Sequence, residues 1–184
     1  MRGVPMNAVA RLLPVAALAC ACVALSAGAS AAAAPARTAE TTDQLERHVL
    51  AELNEVRRAH GLRTLRRSAP LSVAADRHSR AMGRHGFFEH ESRDGSSFWR
   101  RVKRFYPARG YRSWSVGENL LWSTPGLDAA RAVELWLASP GHRRNILTPR
   151  WREIGLGVVF VPHAPGVFGG RDVVVITTDF GVRS

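Results

Sequence analysis

Apolar side chains recur every three or four residues between residues 45 and 137, and this period predicts amphipathic helices. The first predicted helix has Thr42 or Asp43 as its N-cap, with Glu46 at capping-box distance from Asp43, and it ends at Gly61. Further helices are predicted over residues 70–82, 98–105 and 128–137, and a helical turn is predicted to begin at Ser139-Pro140. The pattern therefore places the helices in the first three quarters of the chain.

The pattern changes to that of β-strands after residue 149. Residues 153–161 and 172–180 are rich in Val, Ile and Phe, and the segment 162–170 between them is rich in turn-forming residues. We predict an antiparallel pair of strands here. Residues 106–119 are predicted to form a loop that ends in a turn, Gly117-Glu118-Asn119. Helices followed by a strand pair indicate the α+β class.

The N-terminus has the three parts of a secretory signal. A charged start precedes an apolar stretch, residues 12–29, and a run of small residues that offers cleavage sites. A transmembrane anchor is one alternative, but the alanine-rich composition of the apolar stretch favours cleavage. Lipidation at Cys20 or Cys22 is another, but Ala17 and Ala19 stand three residues before them, where a lipoprotein signal usually has Leu. We therefore expect a secreted protein that is extracellular or associated with the envelope, with no transmembrane anchor in its mature form. The predicted boundaries are a cleaved signal over 1–36, a short leader over 37–43 and one domain over 44–182.

Charge and cysteine content narrow the classes of partner and chemistry. The chain has 184 residues, which is typical of one domain, and its formal net charge is +11. Both cysteines lie in the predicted signal, so the secreted chain would contain no disulfide, no thiolate nucleophile and no Cys-based zinc site. The positive charge favours acidic polymers or lipid head groups at an envelope, and secretion argues against nucleic acid as a natural partner.

Histidine and glutamate side chains are the main candidates for chemistry. The sequence contains no G-x-S-x-G, H-E-x-x-H or P-loop motif. His90, Glu118 and His142 lie in predicted loops, where two imidazoles and a carboxylate can hold a divalent metal or act as acid and base. The residues alone also allow a structural role, in which these side chains cap turns or hydrogen-bond within the core. His78, on the apolar face of the second helix, is predicted to be structural.

Seven short motifs together resemble one family. In chain order they are LNEVRRAHGL (53–62), HSRAM (78–82), GFFEH (86–90), GENL (117–120), WLASPGHRRNIL (136–147), EIGLGVVF (153–160) and TTDFG (177–181). They resemble the bacterial branch of the CAP superfamily, the secreted SCP-like domains related to cysteine-rich secretory proteins, antigen 5 and plant pathogenesis-related proteins. The resemblance covers about residues 45–181. It implies a three-layer α-β-α sandwich around a small, mainly antiparallel sheet, with a third strand near 114–122.

The resemblance also implies a cleft. Many members of the family hold two His and two Glu there, and some of them bind a divalent metal. His90, Glu118 and His142 match three of these positions, while Ser139 stands where eukaryotic relatives have the second Glu. The implied metal ligands are these three matching residues, with zinc as the expected metal. The implied cleft also includes Ser139, Asn119 and Asn145.

Three functional hypotheses follow. The first is a binding module for a lipid, glycan or peptide at or outside the envelope, supported by the aromatic and arginine residues interleaved between residues 87 and 136. The second makes the His/Glu cluster a structural anchor of the fold. The third is a metal-dependent, protease-like hydrolase. Because Ser139 removes one acid from the cleft, we rank binding first and hydrolysis last, and we do not expect an enzyme.

Overall fold

The computed structural model describes residues 41–184. The predicted secretory signal, residues 1–36, therefore lies outside the described residues. The helices are α1 (Thr42–Ala59), α2 (Ala69–His85), α3 (Phe98–Phe105), α4 (Ala129–Ala138) and α5 (Pro140–Ile146). The strands are β1 (Arg66–Arg67), β2 (Trp114–Ser123), β3 (Glu153–Ala164) and β4 (Arg171–Arg183). No helix in this part of the chain is long and apolar enough to cross a membrane.

The four strands form one mixed sheet in the order β1-β3-β4-β2. The predicted pair, β3 and β4, is antiparallel, and β2 runs antiparallel to the other side of β4. The two-residue strand β1 is parallel to β3. These pairings confirm the α+β class, the mainly antiparallel sheet and the third strand near residues 114–122. They also make β2 an edge strand, which pairs with β4 on one side only.

Helices cover both faces of the sheet. Ile154, Leu156 and Val158 of β3 pack in one core with Leu53 of α1 and Trp136 of α4. Alternate residues of a strand point to opposite faces of the sheet. The β3 residues that alternate with these three therefore face the opposite helical layer, which contains α2 and α3. The predicted three-layer sandwich is therefore confirmed.

Two glycines of β3 allow α2 to lie directly against the sheet. A Cβ on Gly155 would lie 2.0 Å from the carbonyl carbon of Leu71, and a Cβ on Gly157 would lie 2.2 Å from the backbone nitrogen of Asp76. The hydroxyl of Ser79, from the same helix, donates a hydrogen bond to the Gly157 carbonyl at 2.8 Å. These contacts fix the position of α2 along the sheet.

The start of α1 differs from the sequence prediction. The N-cap is Thr41, and it forms a capping box with Gln44 rather than the predicted box between Asp43 and Glu46. Glu46 is instead buried and accepts a hydrogen bond from the backbone N–H of Val158 at 3.2 Å. The partner of Glu46 is 112 residues away in sequence, so local spacing could not indicate it.

Candidate functional site

Gly117, Glu118 and Asn119 lie inside the edge strand β2, so the predicted turn at these residues is wrong. Successive side chains of a strand point to opposite faces. The Glu118 side chain meets Arg101 of α3, whereas the Asn119 side chain meets the backbone of α5 at His142. Only the acid of this motif therefore belongs to the cluster of charged groups on the α2 and α3 side of the sheet.

Glu118 is the centre of that cluster, and both of its carboxylate oxygens have partners. Oε1 lies 2.8 Å from Nδ1 of His90, and Oε2 accepts a hydrogen bond from the guanidinium of Arg101. The Glu118 side chain is fully buried, while 46% of the His90 side chain is exposed. A buried carboxylate has to be paired with a positive charge, and Arg101 supplies it.

Arg101 reaches the cluster from the buried side of α3. It follows Phe98 by three residues and precedes Phe105 by four, so it shares their face of the helix. Its Nη1 donates to the His90 carbonyl and to Oγ of Ser92, both at 3.1 Å. The guanidinium therefore clamps the loop after α2 to the edge strand. Its Nε–H is buried and has no partner among the described residues.

Asp179 is the second acid of the cluster. It pairs with Glu118 in the register of β4 with β2, so both side chains leave the sheet on the same face. Asp179 is buried, and within residues 41–184 neither of its carboxyl oxygens has a hydrogen-bond partner of acceptable geometry. Burial, and secondly the charge of Glu118, raise the pKa of Asp179 well above its ordinary value, although Arg101 lowers it. The neutral acid is the favoured form.

The histidines around the cluster have different pKa shifts. The hydrogen bond to Glu118 raises the pKa of His90, against the opposing effect of burial. Burial, and then repulsion by His90, lower the pKa of His142. Since the ionised Glu118 accepts, Nδ1–H of His90 is the donor, and no protein group in residues 41–184 hydrogen-bonds its Nε2. Nε2 is therefore the ring nitrogen available to a ligand.

His78 has the structural position that its place on α2 predicts. It is buried, and its Nε2 lies 2.9 Å from the carbonyl oxygen of Glu89. Burial, reinforced by the charge of Arg101, lowers the pKa of His78 to about 4. The ring is therefore neutral near pH 7 and holds the loop that carries His90.

The other predicted cleft residues form a separate hydrogen-bond network. Nδ2 of Asn119 donates to the His142 carbonyl at 3.2 Å, and Nδ2 of Asn145 donates to Oδ1 of Asn119 at 3.0 Å. Nε1 of Trp151 donates to the Asn145 carbonyl at 2.9 Å. Ser139 joins α4 to α5, and its hydroxyl makes no capping hydrogen bond. This network holds α5, and with it His142, against β2.

The residues implied as metal ligands do not fit a metal ion in this arrangement. Both oxygens of Glu118 already accept hydrogen bonds, and the cation of Arg101 beside them disfavours a dication. In the described part of the chain no group of three or more His, Asp or Glu side chains is arranged to hold a metal. The zinc site therefore has no geometric support here and stays a prediction.

Arg101 and Asp179 are not among the site residues predicted above, although the chain carries a signal for each. Arg101 occupies the apolar side of a basic helix, where a charged residue needs a buried partner. Asp179 is the only charged residue between Val173 and Val182. At both positions a charged residue interrupts an apolar pattern, and both residues are buried.

Comparison with known proteins identifies a matching family and a relative of moderate sequence identity. The model of the cysteine-rich secretory protein family, CAP, matches residues 50–176. The uncharacterized protein YkwD of Bacillus subtilis is 33% identical over 116 residues, which are 62% of this chain and 42% of that protein. The chain spans less than half the length of the curated relatives that it matches.

Two solved structures share the architecture. An outer surface protein from Borrelia burgdorferi has a TM-score of 0.60 and 20% identity, and the match covers 80% of this chain and 98% of that one. An extracellular protein containing a SCP domain, from Bacillus anthracis, has a TM-score of 0.54 and 26% identity, and the match covers 80% of this chain and 44% of that one. With a family model that matches well over half of its length and a fold shared with these structures, the chain belongs to the CAP, or cysteine-rich secretory protein, family.

Proposed function

We propose that this domain is a non-enzymatic binding module that acts at or outside the cell envelope and binds a peptide or glycan through a carboxylate. One observation carries the proposal: the Glu118 carboxylate is buried and fully engaged by Arg101 and His90. The site consequently presents no acid of the GEN motif to a ligand. It presents the half-exposed ring of His90 instead.

The ring of His90 suits a carboxylate. Its Nδ1 is fixed by Glu118, which orients the ring, and the raised pKa favours the imidazolium, whose Nε2–H can donate to an anion. The net positive charge of the chain, +11 with the two arginines of the predicted signal included, would raise the local concentration of acidic ligands. A lipid, which the sequence also allowed, has less support because the groups at this site are polar.

Among residues 41–184 we find no nucleophile positioned at the His90 ring, which is why hydrolysis ranks second. No serine or threonine hydroxyl of the described residues hydrogen-bonds the His90 ring, and both cysteines precede residue 41. The His90–Glu118 pair does have the base-and-orienter arrangement of hydrolytic enzymes. A hydrolase that uses this cleft, with a metal as the sequence suggested, is therefore the second candidate function.

Co-sedimentation with purified peptidoglycan separates these functions. Native peptidoglycan would be compared with material whose carboxylates have been converted to amides. His90→Asn and His142→Asn would be tested, with His163→Asn as the matched control because His163 is exposed on the β3–β4 hairpin. Each assay would be run with a chelator and with added zinc, and the supernatant would be analysed for released fragments.

We expect the wild type and His163→Asn to sediment with native material only, with a chelator making no difference. His90→Asn should lose most of the binding, and no fragments should appear. Equal sedimentation of His90→Asn would contradict the proposal and favour the structural role. Fragments that disappear in His90→Asn would establish the hydrolase, and zinc-dependent binding would establish a metal site that rearranges Glu118.

A further inference from the structure

A second polar pocket lies beside the cluster, between α2, α3 and the loop that follows His90. Its volume is about 180 Å³. Basic and hydroxyl side chains dominate its lining: Arg77, Arg93, Arg101, Arg104, Ser92 and Ser96. The proposed carboxylate site at His90 does not use this pocket, and Arg101 is the residue that connects the two regions.

Among the described residues, the side chains that line this pocket carry more positive than negative charge. Arg101 pairs with Glu118, but among residues 41–184 none of Arg77, Arg93 and Arg104 forms a salt bridge. Asp94 is the one acid among the described residues that line the pocket. Its carboxylate accepts a hydrogen bond from the backbone N–H of Ser96 at 2.9 Å, and the contacts with Ser96, followed by the charge of Arg104, lower its pKa.

Four guanidinium groups and two carboxylates therefore leave two positive charges in excess. Arg101 also lines the pocket with a buried Nε–H that no described group accepts. Like charges held together repel one another, and an anion removes that cost. The pocket has more hydrogen-bond donors than acceptors, which is the composition of an anion site.

Other contacts hold two of these arginines, Arg77 and Arg93, in place. The Arg77 guanidinium lies over the ring of Phe105, 5.0 Å from its centroid. Nη1 of Arg93 lies 3.3 Å from Nδ1 of His85. Arginines that are already ordered lose less conformational freedom when a ligand binds.

The loop that presents the two hydroxyls is closed by its own backbone. The Ser92 N–H donates to the Ser96 carbonyl at 2.9 Å, and the Gly95 N–H donates to the Ser92 carbonyl at 2.8 Å. Gly95 has a φ of 76°, the left-handed conformation that glycine adopts without strain. The turn therefore holds Ser92 and Ser96 on the pocket wall.

We propose that this pocket binds a phosphate group, either inorganic phosphate or the terminal phosphate of an ester. At about 180 Å³ the pocket is smaller than the roughly 300–1,000 Å³ of sites for drug-sized ligands, which suits a small tetrahedral anion rather than a large ligand. A phosphate monoester carries a charge of about −1.5 to −2 at pH 7 and has three strong acceptor oxygens. It therefore matches two excess positive charges and several guanidinium donors better than a carboxylate does.

Titration of the wild-type protein with inorganic phosphate, glycerol 3-phosphate and acetate at constant ionic strength would test this assignment. Backbone amide NMR would report both the affinity and the location. The triple variant Arg77→Gln, Arg93→Gln, Arg104→Gln removes the unpaired arginines. Its matched control changes three other exposed arginines and lowers the net charge equally: Arg47→Gln, Arg66→Gln, Arg109→Gln.

We expect saturable phosphate binding with shifts at Ser92, Ser96 and their neighbours, weak acetate binding, and a loss of at least about tenfold in the pocket variant only. Tighter binding of glycerol 3-phosphate than of inorganic phosphate would identify an ester as the ligand class. Equal losses in both triple variants, or unsaturable shifts spread over the surface, would overturn the proposal in favour of net charge. Equal affinity for acetate would overturn the phosphate assignment. None of these results bears on whether His90 binds peptidoglycan, so either proposal can fail while the other stands.

Discussion

Asp179 and Glu118 face each other across β4 and β2, and both are buried, but within residues 41–184 only Glu118 has hydrogen-bond partners of acceptable geometry for its carboxyl group. Two adjacent carboxyls of this kind cannot both ionise without a large electrostatic cost. Arg101 balances the charge of Glu118. The raised pKa of Asp179 favours its protonated form, and we therefore expect the cluster to contain one anion rather than two.

The substitution Asp179→Asn tests this protonation state. The amide is close in shape to the neutral acid, so Asp179→Asn should be at least as stable as the wild type. Because the pKa of Asp179 is raised on folding, wild-type stability falls as pH rises above the unfolded value of about 3.9. The advantage of Asp179→Asn should therefore increase as the pH rises above about 4, by up to about 1.4 kcal/mol per pH unit until the folded pKa is reached. Urea unfolding at several pH values would measure it.

Asp179→Ala serves as the control, because it removes the side chain from a fully buried position. It should be less stable than Asp179→Asn at every pH, as expected for a cavity. If Asp179→Asn is instead destabilised by several kcal/mol at neutral pH, Asp179 is an ionised partner of Arg101 and the proton assignment is wrong.

Removing Arg101 should be one of the most damaging single changes in the domain. Arg101→Met leaves the Glu118 carboxylate buried without its cation, which costs about 3–5 kcal/mol. Glu118→Gln in the same background removes that charge and should recover much of the loss. A double-mutant cycle by chemical denaturation gives the coupling between the two residues. Additive losses would show that the pair is not coupled in the way that the hydrogen bond indicates.

The two cleft histidines should titrate in opposite directions from about pH 6.5. His90 should titrate above this value, and Glu118→Gln should lower its pKa by removing the hydrogen-bonded carboxylate. His142 should titrate below it, and His90→Asn should raise its pKa by removing the repulsion. Ring-proton NMR would measure both, with Glu134→Gln, an exposed acid on α4, as the matched control.

The raised pKa of His90 also predicts how the stability of the folded protein changes with pH. A base whose pKa rises on folding stabilises the protein fully below its unfolded pKa, here about 6.5, and the contribution is lost as pH rises through the folded pKa. His90→Asn should therefore lower the melting temperature more in mildly acidic than in alkaline buffer. A pH-independent loss would mean that His90 acts through packing alone.

Sequence patterns predicted the helices well because the apolar face of each helix repeats locally. α3, at Phe98–Phe105, has the predicted bounds, and α4 has the predicted Asp128 as its N-cap. The Gly117-Glu118-Asn119 segment was misassigned because glycine and asparagine favour turns in isolation. Here Gly117 is needed for another reason: a Cβ would lie 2.5 Å from Oδ1 of Asn145.

The cluster could be predicted only in part. His90 and Glu118 were identified as site residues, and they do meet. Arg101 and Asp179 were not, because the feature that brings them together is strand register and helix packing rather than spacing along the chain. The resemblance implies metal ligands in the cleft, whereas the cation beside Glu118 here is a guanidinium.

The close approach of α2 to the sheet predicts that Gly157 accepts no side chain. Gly157→Ala would place a Cβ 2.2 Å from the backbone nitrogen of Asp76, and backbone atoms cannot move aside as a flexible side chain can. We expect a loss of about 1–3 kcal/mol or more, because overpacking forces the helix away from β3.

Gly141→Ala is the matched control: no atom lies within 4 Å of its added Cβ, and alanine favours the helix α5 in which Gly141 lies. Thermal unfolding of both variants would measure the difference. Because α2 carries His78, which contacts the loop of His90, Gly157→Ala should also broaden the His90 ring signals, and unchanged signals would show that the site does not depend on this packing.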